Sequence, residues 1–215
     1  MTKPLTDKGY SRALRALGER DGDLAQVVSD YGAPPRRARD PGFATLALLI
    51  LEQQVSLASA QATYDRLVAA CGEVRPGAVL ALGDDGLKAI GLSCQKARYV
   101  GLLAEAIDGG ALDVDRLAAL GDDDARGELT RITGIGDWTA DIYLLSALQR
   151  PDVWPAKDLA LQVAAHEIKR LGARPDHGEL TDIGEAWRPY RAVAARILWH
   201  YYLNTKRLKR KDGTA

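Results

Sequence analysis

The chain has 215 residues, with 29 Lys+Arg against 29 Asp+Glu, so its formal net charge is zero. Hydrophobic residues make up 47% and charged residues 27%, the balance of an ordinary folded domain, which excludes a disordered chain, a collagen-like fibre and a strongly basic packaging protein. No run of about 18 apolar residues is present to span a membrane, the N-terminus lacks the apolar stretch of a secretory signal, and Cys71 and Cys94 are too few for a disulfide framework, a zinc cage or a four-cysteine iron–sulfur site. A cytoplasmic, metal-poor protein is expected.

Taken in chain order, the texture is helical nearly throughout. From Phe43 the run Ala-Thr-Leu-Ala-Leu-Leu-Ile-Leu is almost wholly apolar, which predicts a buried helix rather than an amphipathic one. Ser56 then stands as an N-cap before Leu57, Ala60, Tyr64, Leu67 and Val68, a second helix that stops near Cys71-Gly72. A third follows Ser93, with Ala97, Val100, Leu103, Ala104 and Ile107 on one face and a stop at Gly109-Gly110. Leu129 and Ile132 precede a turn at Gly134-Ile135-Gly136, after which Trp138, Ile142, Leu145 and Leu148 restart the helical spacing. The last helix begins at about Tyr190, with Val193, Ala194, Ile197, Leu198 and Tyr201 at core positions. No sustained period-two alternation and no fixed-period repeat occurs, so the fold class is all-α.

Charge is unevenly placed. Acidic runs occur at Asp84-Asp85 and Asp122-Asp123-Asp124, and basic residues gather at Arg36-Arg37-Ala38-Arg39 and from Lys206 to Lys211. A basic tail is either a solvated end or a binding arm, and composition alone leaves the partner open.

Three segments carry chemistry. In Leu129-Thr-Arg-Ile-Thr-Gly-Ile-Gly-Asp-Trp-Thr-Ala140 a helix ends, Gly-Ile-Gly turns tightly and a new helix begins at once. Such a turn is a plain helix–helix connection, or it aims backbone N–H groups and a helix dipole at a phosphate oxygen. In Asp152-Val-Trp-Pro-Ala-Lys-Asp158, the last aspartate precedes an apolar helical run, as an N-cap or as a functional carboxylate. The third segment runs from Glu185 to Trp199. The four tryptophans, Trp138, Trp154, Trp187 and Trp199, all fall in the C-terminal part, as core or as a receptor for a flat cationic ligand beside a carboxylate. His166, His177 and His200 lack metal-ligand spacing.

Taken together, Leu51-Glu-Gln-Gln-Val-Ser56, Ile90-Gly-Leu-Ser-Cys-Gln-Lys-Ala-Arg-Tyr99, the hairpin Ile132-Thr-Gly-Ile-Gly-Asp-Trp-Thr-Ala140, Val153-Trp-Pro-Ala-Lys-Asp158 and Trp187-Arg-Pro-Tyr-Arg191 followed by Leu198-Trp199 resemble the helix-hairpin-helix DNA glycosylases. The branch resembled is the bacterial alkylpurine type, 3-methyladenine DNA glycosylase II, over roughly Phe43 to Tyr202. The resemblance implies two helical subdomains with a cleft between them: a middle bundle over 42–150 with a wedge loop and the hairpin, and a second lobe from 1–41 plus 151–215 with the catalytic aspartate. It implies that Asp158 is catalytic, that Trp138 and Trp199 line the base pocket, and that Thr133, Gly134, Ile135 and Gly136 hold a DNA phosphate. Gln53 and Gln54 would enter the gap left by the extruded nucleotide, with Gln54 as the wedge. The carbonyls of Ile132 and Ile135 would face a structural Na+ or K+, with no other cofactor and no iron–sulfur cluster. The β-rich N-terminal domain of some relatives is expected to be absent.

The implied reaction suits these residue types. A base must leave the stack before its glycosidic bond is reached. N-alkylated purines are often cationic, stack on tryptophan faces and are good leaving groups, so one carboxylate that stabilises charge on the deoxyribose and guides water suffices. Bifunctional relatives carry a lysine two residues after the second hairpin glycine. Trp138 stands there, which implies a monofunctional hydrolase; Lys157 is outside the lyase position. Departures from the family pattern are Asp137 directly after the hairpin, Ile142 where some relatives have a pocket tyrosine, with Tyr143 about 100° away on the helix, and Arg196 among apolar residues of the last helix, either reaching a cleft or laying its stem along the surface. The expected partner is double-stranded DNA with damaged bases, bound by a monomer in the bacterial nucleoid and not at a membrane. The alternatives are a non-catalytic helix-hairpin-helix binder of DNA structures and a helix-turn-helix regulator, for which the segment after the turn is poor in Arg, Asn and Gln.

Overall fold

The computed structural model describes residues 3–211, with side chains as far as residue 205. Among these residues the chain forms eleven α-helices and one short 3-10 turn, and no strand. It divides into two compact units, one over Arg39–Leu148 and one from 3–38 with 149–211.

The first unit is built around α3 (Phe43–Glu52). Its apolar run buries Phe43, Leu46, Ala47, Leu49, Ile50 and Leu51, and the helix packs against α4, α6 and α8. A helix apolar on all sides has this central place because every face is covered by a neighbour. α4 (Leu57–Cys71) starts where the Ser56 hydroxyl accepts from Ser59 N at 3.2 Å, and α6 (Cys94–Asp108) where Ser93 does the same for Lys96 N at 3.2 Å. Between them α5 (Pro76–Ala89) opens on a proline at its first turn and breaks at Gly83, whose φ is 63°. Sequence periodicity did not mark α5, because its three glycines within 14 residues weaken helical propensity and packing against α6 holds it instead. α7 (Asp122–Thr130) carries its three aspartates in the first turn, where the helix dipole favours them. α8 (Asp137–Ser146) follows the hairpin. Arg126 of α7 donates through Nε to Asp141 of α8 at 2.8 Å and through Nη1 to Asp123 at 2.7 Å, which clamps α7 to α8.

The second unit joins α1 (Asp7–Arg20) and α2 (Gly22–Tyr31) to α9 (Leu159–Ile168), α10 (His177–Glu185) and α11 (Arg191–Lys211). α11 lies against α1, α2 and α9 and buries Val193, Ala194, Ile197 and Leu198. The cluster from Lys206 to Lys211 continues this helix in backbone, and its side chains lie outside the described residues. α10 opens on a capping box in which Asp176 and Glu179 reciprocally satisfy backbone N–H groups.

Asp21 is the polar centre of this unit. It caps α2, takes both oxygens to Lys169 Nζ at 2.6 Å, and accepts from the Trp187 indole at 2.7 Å. Burial pushes its carboxyl up, but the bonds from Lys169 and Trp187 and the Lys169 charge outweigh this and hold it below the ordinary value. Burial likewise lowers Lys169, and the bonds to Asp21 and Asp23 more than reverse it. Because the folded-state value of Asp21 is depressed, its contribution to stability is complete at neutral pH and is lost in acid as pH falls through that depressed value. Asp21→Ala is expected to destabilise this unit by about 2–3 kcal/mol, since it leaves the Trp187 indole N–H unpaired and Lys169 with Asp23 as its remaining carboxylate; urea unfolding at pH 7 and in acid, where the difference should shrink, checks it.

Arg196 is a buried residue of this unit and reaches no surface. It donates to Arg36 O at 2.8 Å and Ala192 O at 3.0 Å and lies over the Tyr10 ring at 5.9 Å. Burial lowers its pKa to about 10.

Candidate active site and hairpin

Asp158 stands at the N-cap of α9, with extended backbone, and its Oδ1 accepts from Leu161 N at 3.0 Å. The same oxygen accepts from the Trp199 indole Nε1 at 3.1 Å. The N-cap reading of this aspartate is what the structure shows, and the same side chain is also held by a tryptophan 41 residues further on. The carboxylate is only part-buried, and Leu159 beside it, the first residue of α9, is 56% exposed. A carboxylate fixed at a helix N-terminus, beside the exposed Leu159 and the half-buried Trp199, can orient toward a developing cation with little reorganisation.

The other two C-terminal tryptophans are core. Trp154 and Trp187 meet edge to face with centroids 5.3 Å apart. Trp154 also donates to Leu180 O at 3.0 Å and lies against Gly184, where an added Cβ would come within 2.6 Å of its indole nitrogen. His200 is bonded to Tyr31 O at 2.9 Å, and no group of three His, Cys, Asp or Glu among the described residues could hold a metal ion.

In the first unit the hairpin turns on Gly134, at φ 99°. Ile135 points into the core at 3% exposure, and its N–H donates to Ile132 O at 3.0 Å. Thr133 and Gly136 are exposed, and Ile132 and Trp138 are half-buried. Gly136 occupies the N-cap of α8 and brings no side chain to its first amides, and Asp137 follows in the first turn, where the helix dipole favours an acid. The cradle requires glycine at 134 twice over: an L-residue rarely adopts that φ, and a Cβ would fall onto Tyr99, within 2.6 Å of its Cβ.

The Leu51-Glu-Gln-Gln-Val-Ser56 segment ends α3 and turns through Gln54, whose φ is 57°. Gln54 is exposed, flanked by Val55 and Leu57 at 43% and 52% exposure. Gln53 is half-buried and reaches the hairpin: its Nε2 donates to Gly134 O and to Thr139 Oγ1, each at 2.9 Å. Lys96 Nζ donates to Leu51 O at 2.6 Å, and Arg39 pairs with the nearly buried Glu52 at 2.8 Å. Lys96 and Tyr99 thus serve the end of α3 and the hairpin. Their spacing of three on one helix was visible in the sequence, but not what they touch. Tyr143, beside Ile142, is fully buried; its oxygen accepts from Gly42 N at 2.9 Å, and burial pushes it up to about 12.

The family model described as HhH-GPD superfamily base excision DNA repair protein matches residues 48–189. YfjP of Bacillus subtilis is 30% identical over 184 residues, which are 82% of this chain and 64% of that protein. A Mycobacterium tuberculosis protein named "Probable bifunctional transcriptional activator/DNA repair enzyme AlkA" is 36% identical over 200 residues, 86% of this chain and 38% of its own length. The chain therefore spans less than two-thirds of either relative. Among solved structures, the Schizosaccharomyces pombe 3-methyladenine DNA glycosylase Mag1 in complex with abasic DNA superposes with a TM-score of 0.81 at 26% identity, over 87% of this chain and 95% of that one.

Proposed function

Because the chain belongs to the HhH-GPD superfamily of base excision DNA repair proteins, we propose that it is a monofunctional DNA glycosylase that hydrolyses the N-glycosidic bond of alkylated purines of the 3-methyladenine kind and leaves an abasic site. The observation that carries the reading is the Asp158 carboxylate, held by Leu161 N and the Trp199 indole at the start of α9. Phosphate binding alone has no use for a carboxylate so fixed. The name of the Mag1 structure, a 3-methyladenine glycosylase with abasic DNA, supports the substrate class.

In this reading the hairpin from Thr133 to Gly136, whose Ile135 N–H closes the turn on Ile132 O, and the dipole of α8 hold a backbone phosphate of double-stranded DNA. Gln54, on its exposed left-handed turn with Val55 and Leu57 beside it, fills the gap left by the extruded nucleotide. Trp138 and Trp199 offer aromatic faces to the cationic base, which departs without a strong general acid. Asp158 stabilises positive charge on the deoxyribose as the bond to C1′ lengthens, and directs water to that carbon. No amine is needed, and Trp138 rather than lysine stands two residues after the second hairpin glycine. A monovalent cation fits the donor set of the turn, backbone carbonyl oxygens of Ile132 and Ile135, and would offset phosphate charge there. The protein would act as a monomer on chromosomal DNA in the cytoplasm, and among the described residues no helix is long and apolar enough to cross a membrane.

The test is release of free base from methylated duplex DNA. Wild-type protein is expected to release methylpurines and to leave alkali-labile sites without strand breaks of its own. Tight binding to abasic duplex with no release from a broad lesion panel would replace the enzyme with a non-catalytic binder of DNA structures.

A further inference from the structure

Gln53 ends α3 with a non-helical backbone, φ −61° and ψ 127°, and its carboxamide crosses to a part of the chain more than 80 residues away. One nitrogen supplies two N–H donors, and both are used on the same structure: one on Gly134 O in the turn, one on Thr139 Oγ1 in the first turn of α8. The Gly134–Ile135 peptide group is thereby held at both ends, its carbonyl by Gln53 and its N–H by Ile132 O. A long amide side chain loses rotamer freedom when fixed, and at the half-buried Gln53 two good acceptors offset that loss. The backbone from which Gln53 projects is itself pinned by Lys96 on Leu51 O, and the neighbouring Glu52 side chain is paired with Arg39.

We propose that Gln53 is a positioning residue: its amide locks the loop bearing Gln54 to the phosphate-cradling hairpin, so that the two DNA-contacting elements are presented as one body. The inference rests on the reading that both elements face DNA. It gives the two neighbouring glutamines different work, Gln54 outward to the nucleic acid and Gln53 inward to the turn. A loop and a hairpin joined in this way carry their spacing with them, and a phosphate seated on one fixes where the other enters the duplex.

The experiment compares wild type, Gln53→Ala, Gln54→Ala and Thr139→Val by amide hydrogen exchange of the free protein and by binding to duplex DNA with a tetrahydrofuran abasic analogue. Gln53→Ala is expected to raise exchange at Ile135 and the first amides of α8 at least tenfold, leave α5 and α6 unchanged, and weaken abasic-DNA binding about tenfold. Thr139→Val, which keeps the side-chain shape and removes one acceptor, should move the same amides in the same direction. Gln54→Ala should weaken binding with no change in hairpin exchange. The proposal is overturned if hairpin exchange is unchanged in both Gln53→Ala and Thr139→Val, whatever happens to binding, because Gln53 would then act directly on DNA or not at all. Should Gln53→Ala fail to fold, Thr139→Val carries the same decision. Exchange is read without substrate, so absence of base release by wild type would remove the glycosylase reading and leave this result standing on its own.

Discussion

Asp158→Asn is expected to release methylated base roughly 10²–10³-fold more slowly than wild type, the scale of losing one preorganised electrostatic partner of a transition state, while folding normally. The substitution separates the two roles that meet in this side chain. Asparagine caps helices about as well as aspartate, so its carbonyl oxygen can still accept from Leu161 N and from the Trp199 indole, as Oδ1 does in the structure. What disappears is the negative charge that would face the sugar. Melting temperature and affinity for abasic duplex should therefore stay near wild type while single-turnover base release collapses. Asp158→Ala is the control, because it removes the cap as well and should lower stability by about 1 kcal/mol. Equal base release by wild type and Asp158→Asn would remove Asp158 from the chemistry.

The second large effect is expected at Gly134. Gly134→Ala forces an L-residue to φ 99° and drives a methyl group into Tyr99. Strain of about 1–3 kcal/mol and overpacking of about 1–3 kcal/mol act at one point. The turn is expected to reorganise: thermal unfolding should come several degrees earlier, and binding to abasic duplex should fall at least tenfold. Combining it with Tyr99→Ala separates the two causes. The clash is relieved in the double variant but the backbone strain is not, so stability should return in part and DNA binding should stay weak. Full recovery of binding would mean that the turn needs room at this position and not a left-handed residue.

The all-α class and the helices at α3, α4, α6, α8 and α11 were legible because each shows apolar spacing or a serine cap in the chain itself, as Ser56 and Ser93 do. The positive φ of Gly134 was legible from the Gly-Ile-Gly pattern. The network around Asp21 was not, since Lys169 and Trp187 join it across 148 and 166 residues and no local period announces such a meeting. The same holds for Gln53. A glutamine after an apolar helix reads as a polar residue available to a partner, and only the tertiary structure discloses that its amide is spent on a carbonyl and a hydroxyl 81 and 86 residues away. Arg36 and Arg39 looked like part of a basic patch, yet each is matched by an acid, Asp7 and Glu52. Charge pairing is a property of the fold, which a run of arginines in sequence cannot express.

The clamp of Arg126 on Asp141 and Asp123 has a consequence for how such a protein would travel along a duplex. It turns the Arg126 guanidinium onto two carboxylates of its own unit, and in the proposed reading the turn would meet a phosphate with uncharged peptide groups. Counterion release follows the number of phosphates neutralised by lysine or arginine, and a contact made by amides alone releases little. A contact of this kind would grow only slowly tighter as the medium is diluted, and it would add little indiscriminate attraction to undamaged DNA. Residence on ordinary sequence would be brief, and the dwell time would be set by what the loop finds when it probes the stack.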